Sequence, residues 1–150
     1  MITRSHSHFP IPVCETVLSN GLTVITAETT SCFVRVGIVF AAGSLDDGAN
    51  PGAAHFLEHL LYEGTARDGV HPKLRYLHRT GIEENGEVGR SSTEYWVDGY
   101  KEDFGSILEA LFSIACTFEY TTAYVDRERP VILQELDEGD DADQRLHLWE

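Results

Sequence analysis

The segment Ala54-His55-Phe56-Leu57-Glu58-His59-Leu60 holds the residues best suited to chemistry. His55 and His59 are four apart, so on a helix their imidazoles share one face, a turn apart. Two imidazoles at that spacing can bind one zinc ion. Glu58 follows His55 by three residues on the same side, where a carboxylate reaches a metal-bound water. The order H-x-x-E-H inverts the H-E-x-x-H of the zincins. Burying these three polar side chains in an otherwise apolar helix without a partner costs several kcal/mol. A cation offsets that cost better than anything else in the chain.

A catalytic zinc site takes three protein ligands and keeps a fourth position open. The segment Asp126-Arg127-Glu128-Arg129-Pro130-Val131-Ile132-Leu133-Gln134-Glu135 offers a third from another element. Glu128 and Glu135 are seven apart and share a helical face. Val131, Ile132 and Leu133 between them mark that stretch as packed. Carboxylates on a packed face need a partner, and a metal, or a role supporting its ligands, supplies one.

The elements that must position these residues follow from patterning. Val13 to Leu18 and Leu22 to Thr26 read as strands joined by Ser19-Asn20-Gly21, since Asn-Gly is a strong hairpin signal. Phe33 to Ala42 is β-branched and almost continuously apolar, which reads as a central strand. Leu45 to Gly52 is a loop. Ala53 to Glu63 is a helix with apolar positions Ala53, Phe56, Leu57, Leu60 and Leu61, stopped at Gly64. A second helix is expected from Pro72 to Thr80, a strand from Glu87 to Asp98, and a helix from Lys101 to Phe118 with the stripe Phe104, Ile107, Leu108, Leu111, Phe112 and Ala115. Thr121 to Glu150 is helical in pattern, and Pro130 requires a bend there or a start near Arg129. The order predicts an α+β fold, one mostly antiparallel sheet with helices packed on one face. Residues 1–10 read as a flexible segment and 11–150 as one domain.

Composition narrows the function classes. The 150 residues carry 11 Lys+Arg against 25 Asp+Glu, a formal charge of −14. That balance disfavours nucleic acid and anionic membranes as partners. No apolar run reaches the ~20 residues of a membrane span. The amino terminus has no apolar core, so it does not read as a secretory signal. Cys14, Cys32 and Cys116 are too few and scattered for a disulfide framework, and read as buried or half-buried thiols of a cytoplasmic protein. His6 and His8 read as a solvated tail, His71 and His78 as an exposed pair, and Ser91-Ser92-Thr93 as strand surface. Tyr62, Tyr76 and Trp96 read as core or rim. Residues 135–143 hold six acids and no base, a solvated acidic face.

Several segments together resemble the pitrilysin/insulinase peptidases, the inverzincins, which include the mitochondrial processing peptidase. Asn20-Gly21-Leu22-Thr23-Val24 resembles the family's opening hairpin, and Gly43-Ser44 before Asp46-Asp47 its turn ahead of the active-site helix. Gly52-Ala53-Ala54-His55-Phe56-Leu57-Glu58-His59-Leu60-Leu61-Tyr62-Glu63-Gly64-Thr65 is very similar to the helix motif. Asn85, Thr93 and Tyr95 match the N-A…T-x-Y edge strand, and Arg127-Glu128-Arg129-Pro130-Val131-Ile132-Leu133-Gln134-Glu135 the R-E-R…V-I-L-x-E helix. The resemblance covers residues 11–138.

That resemblance implies that His55, His59 and Glu135, the last 76 residues after His59, bind one zinc per chain. It implies Glu58 as the general base and Glu128 as a supporting carboxylate. It implies that the strand carrying Asn85, Gly86, Thr93 and Tyr95 takes up a peptide by β-augmentation. The family's alanine after the asparagine is Gly86 here, and its threonine two positions on is Val88. Family domains are longer, and a homologous second half usually closes over the site. The chain therefore reads as truncated relative to the family. It is a peptidase completed by self-association or by a partner, or a zinc-binding or peptide-binding accessory subunit without turnover, or a fragment. An interaction module that docks a basic peptide is the reading from another class.

Overall fold

The computed structural model describes residues 2–6, 10–64, 81–116 and 121–138. The chain divides into two compact units, Met1–Cys32 and Phe33–Glu150.

The first unit is an antiparallel sheet in the order β1-β2-β3, with β1 Ile2–His6, β2 Val13–Val17 and β3 Thr23–Ala27. Its hairpin is the one Asn20-Gly21 predicts. Gly21 has φ +89°, and Asn20 Oδ1 accepts from the Leu22 amide at 3.1 Å. The strand β1 corrects the expectation of a flexible start. It pairs along its length with β2, from Ile2 opposite Val17 to His6 opposite Val13. Residues 2–6 lack apolar alternation, so the strand owes its existence to β2. Arg4 lies opposite Glu15, their side chains 3.9 Å apart, and the Thr3 and Thr16 hydroxyls meet at 3.2 Å.

The second unit contains β4 Phe33–Phe40, α1 Ala53–Gly64, β5 Glu83–Val88, β6 Thr93–Tyr100, α2 Phe104–Cys116 and α3 Thr122–Glu138. Its antiparallel sheet runs β4-β6-β5. β6 is therefore the middle strand, not the apolar run expected there, and β4 is an edge among the described strands. An apolar run does not fix sheet position, and β4 leaves Phe33 and Val39 more than half exposed. The strand expected over Glu87–Asp98 is two strands. They are joined at Gly89-Arg90-Ser91-Ser92, where the Gly89 amide donates to the Ser92 carbonyl at 2.8 Å.

One face of this sheet carries the core. Val36, Tyr95 and Val97 pack with Leu61 of α1, Ile82, and Ile107, Ala110, Leu111 and Ile114 of α2. The α2 stripe is thus rotated from the expected one, and Phe104 and Phe112 are exposed. α3 runs through Pro130 without ending there. The carbonyl that loses its donor belongs to Asp126, an exposed residue within reach of water. Among the described residues no helix is long and apolar enough to cross a membrane. The three cysteines are free, with Cys14 half-buried but Cys32 and Cys116 exposed, against expectation. The expected helix Pro72–Thr80, with His71, Tyr76 and His78, lies outside the described residues. So do His8, the side chains of His6 and Tyr62, and residues 139–150.

Candidate metal centre

The site is built where α1 packs against α3 and lies beside β5. The loop before α1 anchors its first turn. Asp47 accepts from the Gly52 amide at 2.6 Å through Oδ2 and from the Ala54 amide at 2.8 Å through Oδ1. A carboxylate there satisfies orphan amides and faces the positive end of the helix dipole. Asp46 Oδ2 accepts from the Gly43 amide at 2.9 Å, closing the turn that precedes it.

With α1 so held, the two imidazoles project from one face. His55 Nε2 and His59 Nε2 are 3.2 Å apart. Glu135, arriving on α3, places Oε2 3.5 Å from His55 Nε2 and 3.3 Å from His59 Nε2. The three atoms form a nearly regular triangle. Tetrahedral zinc with ligand bonds near ~2.0–2.1 Å separates its ligand atoms by about 3.3 Å. The donor set of two imidazoles and one carboxylate, and its spacing, therefore fit a zinc ion.

Glu58 stands slightly further out, with Oε2 3.9 Å from His59 Nε2. The ligand atoms of His55, Glu58 and His59 lie within 4.8 Å of one another. The distances favour Glu135 as the closing ligand and leave Glu58 beside the triangle. Burial pushes the Glu58 carboxyl above its ordinary range, His59 pulls it down and Glu135 adds to the rise. A carboxyl group so shifted exchanges its proton nearer neutral pH.

Glu128, only 7% exposed, sits behind His59 with Oε2 3.5 Å from Nδ1. A carboxylate at Nδ1 favours the tautomer that leaves the Nε2 lone pair facing the triangle. Arg127 Nε lies 4.0 Å from the other Glu128 oxygen.

A family model described as Insulinase (Peptidase family M16) matches residues 23–148. The chain belongs to the M16 family. The probable mitochondrial-processing peptidase subunit beta of Schizosaccharomyces pombe is 32% identical over 145 residues, covering 93% of this chain and 31% of that protein. Cytochrome b-c1 complex subunit 1 of Mus musculus is 30% identical over 125 residues, covering 83% of this chain and 26% of that protein. In fold, the chain is similar to pitrilysin, with a TM-score of 0.75 at 22% identity over 89% of this chain and 14% of that one. A protease from Helicobacter pylori gives 0.73 at 22% identity, over 81% of this chain and 30% of that one. The chain thus spans about a third or less of the relatives it matches. Their mitochondrial names give the cytoplasmic expectation no support.

Of the residues that the M16 resemblance assigns to peptide uptake, the structure separates two pairs. Asn85 and Gly86 lie on β5, an edge among the described strands. Thr93 and Tyr95 lie on the middle strand β6, both buried. Thr93 donates to the Ala42 carbonyl at 2.8 Å, and Tyr95 packs edge-on against Phe40. They brace the sheet and do not form its edge, which corrects their expected place. Burial, reinforced by the Glu58 charge, raises the Tyr95 phenol so that it stays protonated.

Two features were absent from the sequence reading. The first is the Asp47 anchor, which reaches α1 across a loop and so escapes the rule that caps adjoin the helix. The second is the contact of Glu58 with Gly86. A Cβ built at Gly86 would meet Glu58 Oε1 at 2.5 Å. The edge strand is bare at that point, and the carboxylate rests against its backbone.

Proposed function

We propose that the chain is a zinc-dependent peptidase of the M16 type that hydrolyses extended peptides. The observation that carries this reading is the triangle of His55, His59 and Glu135 with Glu58 at its side. His55, His59 and Glu135 would hold one zinc ion. Such an ion supplies a Lewis acid for the scissile carbonyl and lowers the pKa of water toward ~7. Glu58 takes the proton of the attacking water and returns it to the leaving amine. Glu128 orients His59 from behind. β5, an edge among the described strands, would receive an extended peptide, and Gly86 brings that edge against Glu58.

A second reading has its own support. A relative at 30% identity carries the name of a cytochrome complex subunit rather than of a peptidase. On that reading the chain is a non-catalytic zinc-binding or peptide-binding subunit. Both readings include association with another copy or a partner chain, in keeping with relatives named as subunits.

Cleavage of a mixed peptide library separates the two. The peptidase reading expects turnover that is lost with chelator, restored by zinc and abolished in Glu58→Gln. Peptide binding that survives chelation, with no turnover at any protein concentration, would favour the subunit reading.

A further inference from the structure

The turn that leads into α1 packs against the β5–β6 turn by backbone alone. The Ser44 amide donates to the Gly89 carbonyl at 3.0 Å, and the Leu45 amide to the Arg90 carbonyl at 2.9 Å. Gly43, just before them, is buried. A Cβ built there would meet the Gly89 carbonyl oxygen at 2.3 Å, and the Arg90 carbonyl carbon and oxygen at 2.7 and 2.8 Å. All three are backbone atoms, so no rotamer change relieves the contact. Gly43 has φ −152°, which other residues adopt readily. Glycine is needed there for space, not for conformation.

The junction is tied on both sides. On the α1 side, Asp46 closes the turn onto the Gly43 amide, and Asp47 holds the Gly52 and Ala54 amides. His55 is the next residue along. On the sheet side, the Thr93 hydroxyl of β6 holds the Ala42 carbonyl, and Gly89 lies three residues beyond Gly86, where β5 meets Glu58. Residue 43 is therefore a point at which the approach of the histidine-bearing helix to β5 is set.

We propose that Gly43 is a positioning residue, holding α1 and β5 at a fixed separation through the paired turns. A methyl group there forces the turns apart by about 1 Å, since carbon contacts lie near ~3.5 Å. The two hydrogen bonds, at 3.0 and 2.9 Å, do not survive such a shift. The consequence for turnover rests on the peptidase reading, where a misplacement of that size costs about 10²-fold in rate. The consequence for the start of α1 is independent of it.

Amide hydrogen exchange, read residue by residue in Gly43→Ala, tests the proposal. Protection at Ser44 and Leu45 is expected to fall about tenfold or more, and at Gly52 and Ala54 with it. The amides of α2 should keep their protection, which a chain that is merely less stable would not. Zinc per chain should be unchanged, because its proposed ligands lie on α1 and α3. kcat/KM for an extended peptide should fall about 10²-fold. Asp46 is exposed, so Asp46→Ala keeps the fold while removing the acceptor of the Gly43 amide. It should shift the same four amides in the same direction. Wild-type exchange at Gly52 and Ala54 in whichever of the two variants folds overturns the proposal, as does wild-type kcat/KM in Gly43→Ala. A wild type without turnover overturns the peptidase reading instead, and the exchange pattern still decides the role of Gly43.

Discussion

At the scale of residues, the site is a set of short distances that suits a cation. Two imidazole nitrogens 3.2 Å apart can share a proton in a hydrogen bond, and with a carboxylate oxygen within 3.5 Å of both they also have the spacing of zinc ligands. Glu128 tests the support behind them. Glu128→Gln removes the charge at His59 Nδ1 while keeping the shape. Zinc affinity is expected to fall about 10–100-fold, measured by competition with a chromophoric chelator. An unchanged affinity would show that Glu128 only packs. Gly86 tests the position of the base. A β-branched side chain there occupies the space of the Glu58 carboxylate, so Gly86→Val should retain zinc and lose turnover. Full activity in that variant would show that Glu58 works from another position. His55, Glu58 and His59 were legible in the sequence because helical periodicity alone places them on one face. Glu135 needed the family resemblance, since spacing left it level with Glu128. Gly86 was named, but its contact with Glu58 is a long-range packing fact that no local pattern encodes.

At the scale of elements, α1 carries three of the five site side chains, and its aim depends on what holds its ends. Asp47 binds two amides at its start through charge-assisted hydrogen bonds. Asp47→Ala is expected to lower stability by about 2 kcal/mol in denaturant titration. It should also weaken zinc binding, because both histidines lie within two turns of that anchor. Loss of stability with unchanged zinc affinity would mean that α1 is aimed by its packing on α3 alone. The long amphipathic segments were legible: α1 matched its expected bounds within a residue. The errors fell where periodicity is silent. β1 is polar and is formed by pairing with β2. The β5–β6 turn interrupts a run that reads as one strand. β4 looked central because it is almost continuously apolar, and among the described strands the topology places β6 there instead.

At the scale of the whole chain, 150 residues hold the complete proposed ligand set of an M16 site while spanning about a third of its relatives. The set is assembled by α1 and the α3 helix packed against it, within the second unit. Its polar residues were the most legible part of the sequence, because metal ligands must be close in space and two of them are close in the chain. The central claim is that this chain, by itself, builds a zinc site from His55, His59 and Glu135. Zinc per chain after dialysis, for wild type, Glu58→Gln and Glu135→Gln, tests it most directly. The account predicts one zinc in wild type and in Glu58→Gln, and a large loss in Glu135→Gln. A wild-type protein that folds but retains no zinc, or a Glu135→Gln variant that binds it as tightly as wild type, would contradict it.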